Sequence, residues 1–371
     1  MAPRVLLMYI TMFSGHYRAS VAVERAIRQL APDTELLNLD AAQYFNPILS
    51  RLADQLYMRV IRSTPQVWDY MYDNPAVAVR SQPFRQWLHR YNAPKVRELL
   101  AEFQPTVVAC TQAFPCGIVA DYKRRTGSSI PLYAILTDFV PHSYWLYPQV
   151  DRYFVGSEAA QAWLEQSGIP RDRIQRTGIP IDPVFAEPTD GAPRLRALGL
   201  DPAQPIVLVM GGGQGLGPIE QVTMALAALP EPFQLVVIAG VNAKLQRRLA
   251  KLVPNVRRRL VVLGHVQFIH ELIGAATLLV TKPGGLTTSE ALAKQLPMIL
   301  VDPIPGQEVK NTQLLLQYQV AIRAQRWDEV PQVVSELLQS PTRLAALRQA
   351  AAVVGRPRAA LEIAQLLLQQ A

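Results

Sequence analysis

Charge is thin in this sequence. Asp, Glu, Lys and Arg make up 18% of its 371 residues, against about 25% in an ordinary soluble domain. Cysteine is nearly missing. Cys110 and Cys116 are the only two, which excludes a disulfide-stapled secreted scaffold and a CxxC zinc site. Two reduced, buried thiols are expected. Long apolar runs are absent as well: no stretch reaches the ~18–20 uncharged apolar residues of a membrane span. Met1 to Phe13 lacks a small-residue cleavage site, so no signal peptide is expected. These absences point to a cytoplasmic chain that does not cross a bilayer. What is present is hydrophobic, 50% of the chain, which excludes wholesale disorder. The length favours two domains.

The net charge is +8, from 37 basic and 29 acidic residues. The excess is spread over both halves, with one local concentration at 51–97. That stretch carries eight basic and three acidic residues, among them Arg59 and Arg62. Interleaved aromatics include Trp68 and Trp87. Arg beside Trp and Tyr suits a membrane interface with anionic lipid. It also suits stacked bases of nucleic acid, or a solvated helical hairpin. Composition alone leaves the three open.

Along the chain, short apolar strands alternate with polar or Gly-rich turns and amphipathic helices. In the first half, strands are predicted at Val5–Ile10, Val107–Cys110, Leu132–Leu136 and Tyr153–Val155. In the second they fall at Ile206–Met210, Gln234–Ala239, Leu260–Leu263, Thr277–Val280 and Met298–Val301. Helices are predicted around 218–229, 243–252, 267–274, 287–295 and 308–318. This rhythm predicts an α/β fold of two parallel sheets, each covered on both faces. Prolines crowd at 183–193 and mark a linker. We therefore read an N-terminal Rossmann-like domain over 1–185 and a C-terminal one over 194–355. A last amphipathic helix over 356–371 is available to pack back on the N-terminal domain.

Four strand-end motifs carry chemistry. Met210-Gly211-Gly212-Gly213-Gln214-Gly215-Leu216-Gly217-Pro218 joins a strand to a helix, as phosphate loops do. It lacks the Lys-Ser/Thr of a Walker loop, and the next strand lacks the acid of a nicotinamide site. Thr281-Lys282-Pro283-Gly284-Gly285-Leu286-Thr287-Thr288-Ser289-Glu290 offers glycines and hydroxyls at a helix start for a diphosphate. Glu290 then suits a ribose diol. Asp302 to Asn311 places Gln307 and Glu308 where sugar hydroxyls need donors and acceptors. Taken singly, such residues also serve as turns and helix caps. In the first half, Ser14-Gly15-His16 and Thr137-Asp138 follow two strands. There His16 offers a base near neutral pH, which Asp138 orients or replaces.

With these motifs in place, the sequence resembles glycosyltransferase family 28, in its branch of monogalactosyldiacylglycerol synthases and processive diacylglycerol glucosyltransferases. The resemblance runs through Phe114-Pro115-Cys116-Gly117, Leu136-Thr137-Asp138, His142, Trp145 and Asp151-Arg152-Tyr153-Phe154-Val155. It continues in Thr177–Phe185, the Gly turn, Lys282–Thr287 with Glu290, and Pro305-Gly306-Gln307-Glu308. It departs at Phe13-Ser14-Gly15-His16, which has fewer glycines than the family's loop.

The resemblance implies a GT-B fold with two Rossmann-like domains facing across a cleft. It implies inverting transfer of a hexose, galactose favoured over glucose, from a UDP-sugar to 1,2-diacylglycerol, with no cofactor and no metal. By that analogy Gly212, Gly213 and the turn of Lys282, Pro283, Gly284, Gly285, Leu286 and Thr287 face the diphosphate, and Gln214 belongs to the donor site. Gly264, His265 and Val266 take the uracil, Glu290 the ribose, and Gln307 and Glu308 the hexose. His16 and Asp138 are the catalytic candidates. Gly15, His142, Trp145, Arg59, Arg62, Trp68 and Trp87 are assigned to the acceptor and the membrane. The expected partners are UDP-sugar, diacylglycerol and an anionic membrane surface, but not nucleic acid. The expected location is peripheral, on the cytoplasmic face. Alternatives are a GlcNAc transferase acting on a lipid-linked peptidoglycan precursor, a UDP-sugar epimerase, and a non-catalytic nucleotide- or lipid-binding regulator. Sequence leaves the oligomeric state open.

Overall fold

Two six-stranded sheets, parallel throughout, organise the chain. The computed structural model describes residues 3–10, 14–45, 80 and 82–370. The close contacts of the chain divide it into two units. One comprises Met1–Pro183, Ile304–Lys310 and Arg358–Ala371, the other Val184–Pro303 and Asn311–Pro357.

The first sheet runs in the order β2-β1-β3-β4-β5-β6. Its strands are β1 (Arg4–Tyr9), β2 (Glu35–Asp40), β3 (Val107–Cys110), β4 (Leu132–Ile135), β5 (Arg152–Val155) and β6 (Ile174–Arg176). Apart from Arg4 and Arg152, which open β1 and β5, the central ones are apolar because helices cover both faces. Leu6, Val108, Leu132 and Tyr153 share one core, and Val5, Leu7, Val107 and Phe154 the other. Helix α1 (Gly15–Leu30) follows β1 and starts where the Ser14 hydroxyl accepts the Tyr17 N–H at 3.2 Å. Helices α2 (Ala41–Phe45), α3 (Gln82–Phe103), α4 (Ala113–Thr126) and α5 (Glu158–Gln166) complete this stretch among the described residues. Cys110 and Cys116 are buried free thiols, as the cysteine count predicts.

The second sheet runs in the order β12-β11-β10-β7-β8-β9. Its strands are β7 (Ile206–Met210), β8 (Gln234–Ile238), β9 (Leu260–Leu263), β10 (Leu278–Thr281), β11 (Met298–Leu300) and β12 (Ala321–Arg323). Read from β9 this is the 3-2-1-4-5-6 order of a dinucleotide fold. Helices α6 (Ala192–Ala197), α7 (Ile219–Ala227), α8 (Ala243–Ala250), α9 (Ile269–Ala275), α10 (Gly285–Ala293), α11 (Gln307–Gln317), α12 (Val330–Leu338) and α13 (Pro341–Val354) accompany it. The last helix, α14 (Ala359–Leu368), lies on α1, with Leu361, Ile363 and Leu367 buried among Val23 and Ile27.

Every strand predicted above is present to within one residue at each end. The sequence reading missed β2, β6 and β12.

Candidate active site

In open parallel sheets, ligands gather at the strand carboxyl ends where the strand order reverses. In the first sheet that point lies between β1 and β3, and in the second between β7 and β10. Several of the sequence-predicted residues fall at each.

At the first, the Ser14 cap places Gly15 and His16 in the opening turn of α1. The His16 ring leans on the β3 end. Its Nδ1 lies 2.9 Å from the Thr111 carbonyl oxygen and 2.9 Å from Thr137 Oγ1. A carbonyl only accepts, so Nδ1 carries the proton and Nε2 keeps its lone pair. The Thr111 hydroxyl donates back to the His16 carbonyl at 2.9 Å, which fixes both backbones. Burial pushes the His16 pKa from 6.5 down to about 4, and the Thr111 contact opposes this. The ring is therefore a neutral imidazole across the physiological range. This is the protonation state that accepting a hydroxyl proton requires.

Asp138, next to Thr137, is 8% exposed. Its Oδ1 accepts the Gln307 Nε2–H at 3.0 Å. Two threonines meet His16 Nδ1, and the sequence reading named only one of them. Thr111 carried no signal, since one carbonyl at a strand end looks like any other. His142 stands before the Ser143–Trp145 turn. Burial, with His16 and Lys310 adding to it, pushes its pKa down to about 3. Trp145 lies in the core, its carbonyl accepting the Tyr153 hydroxyl at 3.0 Å. It packs in the core of the first unit. Trp87 is 57% exposed on α3 and stacks on Tyr91, which is 59% exposed, at 5.9 Å. Arg59, Arg62 and Trp68 lie outside the described residues.

At the second, β7 ends in the Gly turn. Gly213 is exposed there, and Gly212 and Gln214 are half-buried. Gly215 has φ +59°, and a Cβ there would stand 2.2 Å from the Ala239 carbonyl oxygen. Gly240, at the β8 end, has φ +60°, and its Cβ would stand 2.2 Å from the Gly213 carbonyl oxygen. The Val241 N–H donates to that same carbonyl at 2.9 Å. The turn therefore rests on a backbone too close for any side chain. The sequence reading missed Gly240 because nothing local marks a glycine as another loop's support.

Beyond β10, Lys282 and Pro283 are buried and Gly284 caps α10. The Thr288 N–H makes the first intrahelical bond, to the Gly284 carbonyl, at 3.1 Å. The N–H groups of Gly285, Leu286 and Thr287 precede it and point out of the helix start, an anion nest with the helix dipole behind it. The buried Asn311 amide donates to the Pro283 carbonyl at 3.1 Å and holds the turn. Lys282 Cγ and Cδ lie 3.6 Å from where a Gly217 Cβ would stand, and Asp302 Oδ2 lies 3.4 Å from the same point. The Gly turn, Lys282 and Asp302 thus converge. Glu290 is buried on α10. Gly264, His265 and Val266 follow β9, with His265 exposed. Glu308 turns back on its own loop, its Oε2 accepting the Ile304 N–H at 2.8 Å. Among the described residues no three His, Cys, Asp or Glu side chains group as metal ligands. No helix among them is long and apolar enough to cross a membrane.

Comparison with known proteins adds to this geometry. The family described as monogalactosyldiacylglycerol (MGDG) synthase matches residues 16–181. The glycosyltransferase family 28 C-terminal domain matches residues 206–363. The processive diacylglycerol β-glucosyltransferase of Bacillus subtilis is 32% identical over 337 residues, covering 90% of this chain and 87% of its own. Among solved structures, Anabaena HepE in complex with UDP-glucose superposes with a TM-score of 0.58 at 15% identity, over 98% of each chain. MurG of Acinetobacter baumannii superposes with a TM-score of 0.63 at 12% identity, over 99% of this chain and 100% of its own. At such identities the structures speak for the fold, which is of the GT-B class.

Proposed function

Because the chain belongs to glycosyltransferase family 28, in the branch of the diacylglycerol glycosyltransferases, we propose that it transfers a hexose from a UDP-sugar to the free hydroxyl of 1,2-diacylglycerol. The product is a β-monoglycosyldiacylglycerol. One observation carries the chemistry: a neutral imidazole with a free Nε2 stands at the first sheet's reversal point, and an anion nest with Lys282 stands at the second's. The identity of the acceptor is taken from the names of the relatives.

In this reading the acceptor oxygen attacks the anomeric carbon while His16 Nε2 takes its proton. The bond from that carbon to the diphosphate oxygen breaks with inversion. UDP leaves with its new charge facing the N–H groups of Gly285, Leu286 and Thr287 and the Lys282 ammonium. These groups do the work a divalent cation does elsewhere, so chelation by EDTA is expected to leave the rate unchanged. The Bacillus relative's name favours glucose as the donor sugar, ahead of the galactose that the sequence reading favoured. The stacked Trp87 and Tyr91, with a net charge of +8, support peripheral binding to anionic lipid on the cytoplasmic face.

The test is incubation with diacylglycerol vesicles and UDP-glucose or UDP-galactose in parallel. Lipid products are identified by mass and by NMR of the anomeric proton. A β-glycosyl lipid from one donor is expected. UDP binding with no lipid product from either donor would overturn the reading.

A further inference from the structure

Gln307 belongs by resemblance to the sugar, yet its amide is bonded elsewhere. The segment Ile304–Lys310 packs with the first unit, although the residues on both sides of it belong to the second. Gln307 opens α11, and its Nε2 donates to Asp138 Oδ1 at 3.0 Å. Lys310, one helical turn on, is close enough to His142 for its charge to lower that ring's pKa. The first turn of α11 is thus applied to the stretch 137–142.

That stretch also sets the base. Thr137, adjacent to Asp138, meets His16 Nδ1 at 2.9 Å. A connected path therefore runs from the Gln307 amide to the Asp138 carboxylate, along one peptide to Thr137, and to the His16 ring. A primary amide has two N–H donors and an acceptor oxygen. The Asp138 bond takes one N–H and leaves the other and the oxygen for sugar hydroxyls. The bond to a buried carboxylate is charge-assisted, hence strong and directional.

We propose that Gln307 is a positioning residue for the acceptor side as well as a contact for the sugar: by holding Asp138 it keeps the Thr137–His16 pair in register for proton removal. The inference rests on the transferase reading above. It differs from a pure sugar-reading role, in which Gln307 and Asp138 act independently.

The experiment is a cycle of four proteins: wild type, Gln307→Ala, Asp138→Ala and the double variant. Transfer from UDP-glucose to diacylglycerol is measured in each, and UDP affinity by calorimetry. Each single change is expected to lower kcat at least 10-fold. The double variant should fall within about twofold of the worse single one, because both remove the same link. UDP affinity should stay within twofold, which also certifies the fold. Loss in the double variant equal to the product of the single losses would overturn the proposal.

A second measurement does not depend on turnover. With 13C-labelled aspartate and Asp138→Asn for assignment, the Asp138 carboxyl is titrated in wild type and Gln307→Ala. Removing a donor to the ionised form should raise its midpoint; an unmoved midpoint overturns the proposal. Should the alanine variant fold poorly, Gln307→Met keeps the length, removes the N–H and replaces it. If wild type makes no glycolipid, the transferase reading falls and the titration alone decides the Gln307–Asp138 link.

Discussion

At the scale of single residues, two features set measurable consequences. The His16 proton sits on Nδ1 and the ring pKa is near 4. The acid limb of kcat/KM should therefore lie near pH 4, well below the 6.5 of a free histidine. His16→Ala should lower kcat by roughly 10²–10⁴-fold, the usual contribution of a general base, while UDP still binds. A limb near pH 6.5, or full activity in the alanine variant, would remove His16 from this role. Gly240 makes a separate prediction. Its φ of +60° and the 2.2 Å approach to the Gly213 carbonyl oxygen leave no room for a methyl. Gly240→Ala should therefore weaken UDP binding at least tenfold by displacing the Gly turn, with diacylglycerol binding spared. Much of this candidate site is legible in the sequence: the Gly turn, Lys282, Glu290 and His16 stand out by type and spacing at strand ends. Thr111 and Gly240 do not, because each acts through a backbone carbonyl whose partner lies far away in sequence.

At the scale of elements, legibility follows burial. Central strands such as β7 (Ile206–Met210) are buried at every position, so an unbroken apolar run marks them. The three missed strands are edge or near-edge ones. β2 reads Glu-Leu-Leu-Asn-Leu-Asp and is mostly half-exposed. β6 and β12 span three residues each and end in arginine. Such strands exist because a neighbour offers its free hydrogen-bonding edge, which tertiary context supplies and local pattern does not. Helix α14 is the opposite case, its apolar stripe plain in the sequence. Leu367 is fully buried against α1. Leu367→Ala should cost about 2–5 kcal/mol, read as a lower denaturant midpoint for the first unit. A change within 0.5 kcal/mol would mean that the helix adds little to that core.

At the scale of the molecule, three histidines, one buried and two half-buried, give the fold an acid boundary. Burial lowers the pKa of His16 and His89 to about 4 and of His142 to about 3. Below pH 6.5 the unfolded chain takes up protons that the folded one refuses. Stability is therefore fully present above 6.5 and is lost as pH falls toward 4, by at most about 1.4 kcal/mol per pH unit for each ring. Urea unfolding at pH 7.5 and 5.5 checks this in a window above most carboxylate titrations. Equal midpoints at the two pH values would count against it.

Helix α14 closes the core of the first unit, yet it is encoded after the whole of the second. During synthesis the first sheet must therefore wait, with the apolar flank of α1 open to water, until a complete second unit has left the ribosome. Sequence order and structural order disagree, and during that interval the nascent chain bears apolar surface that only its last helix covers.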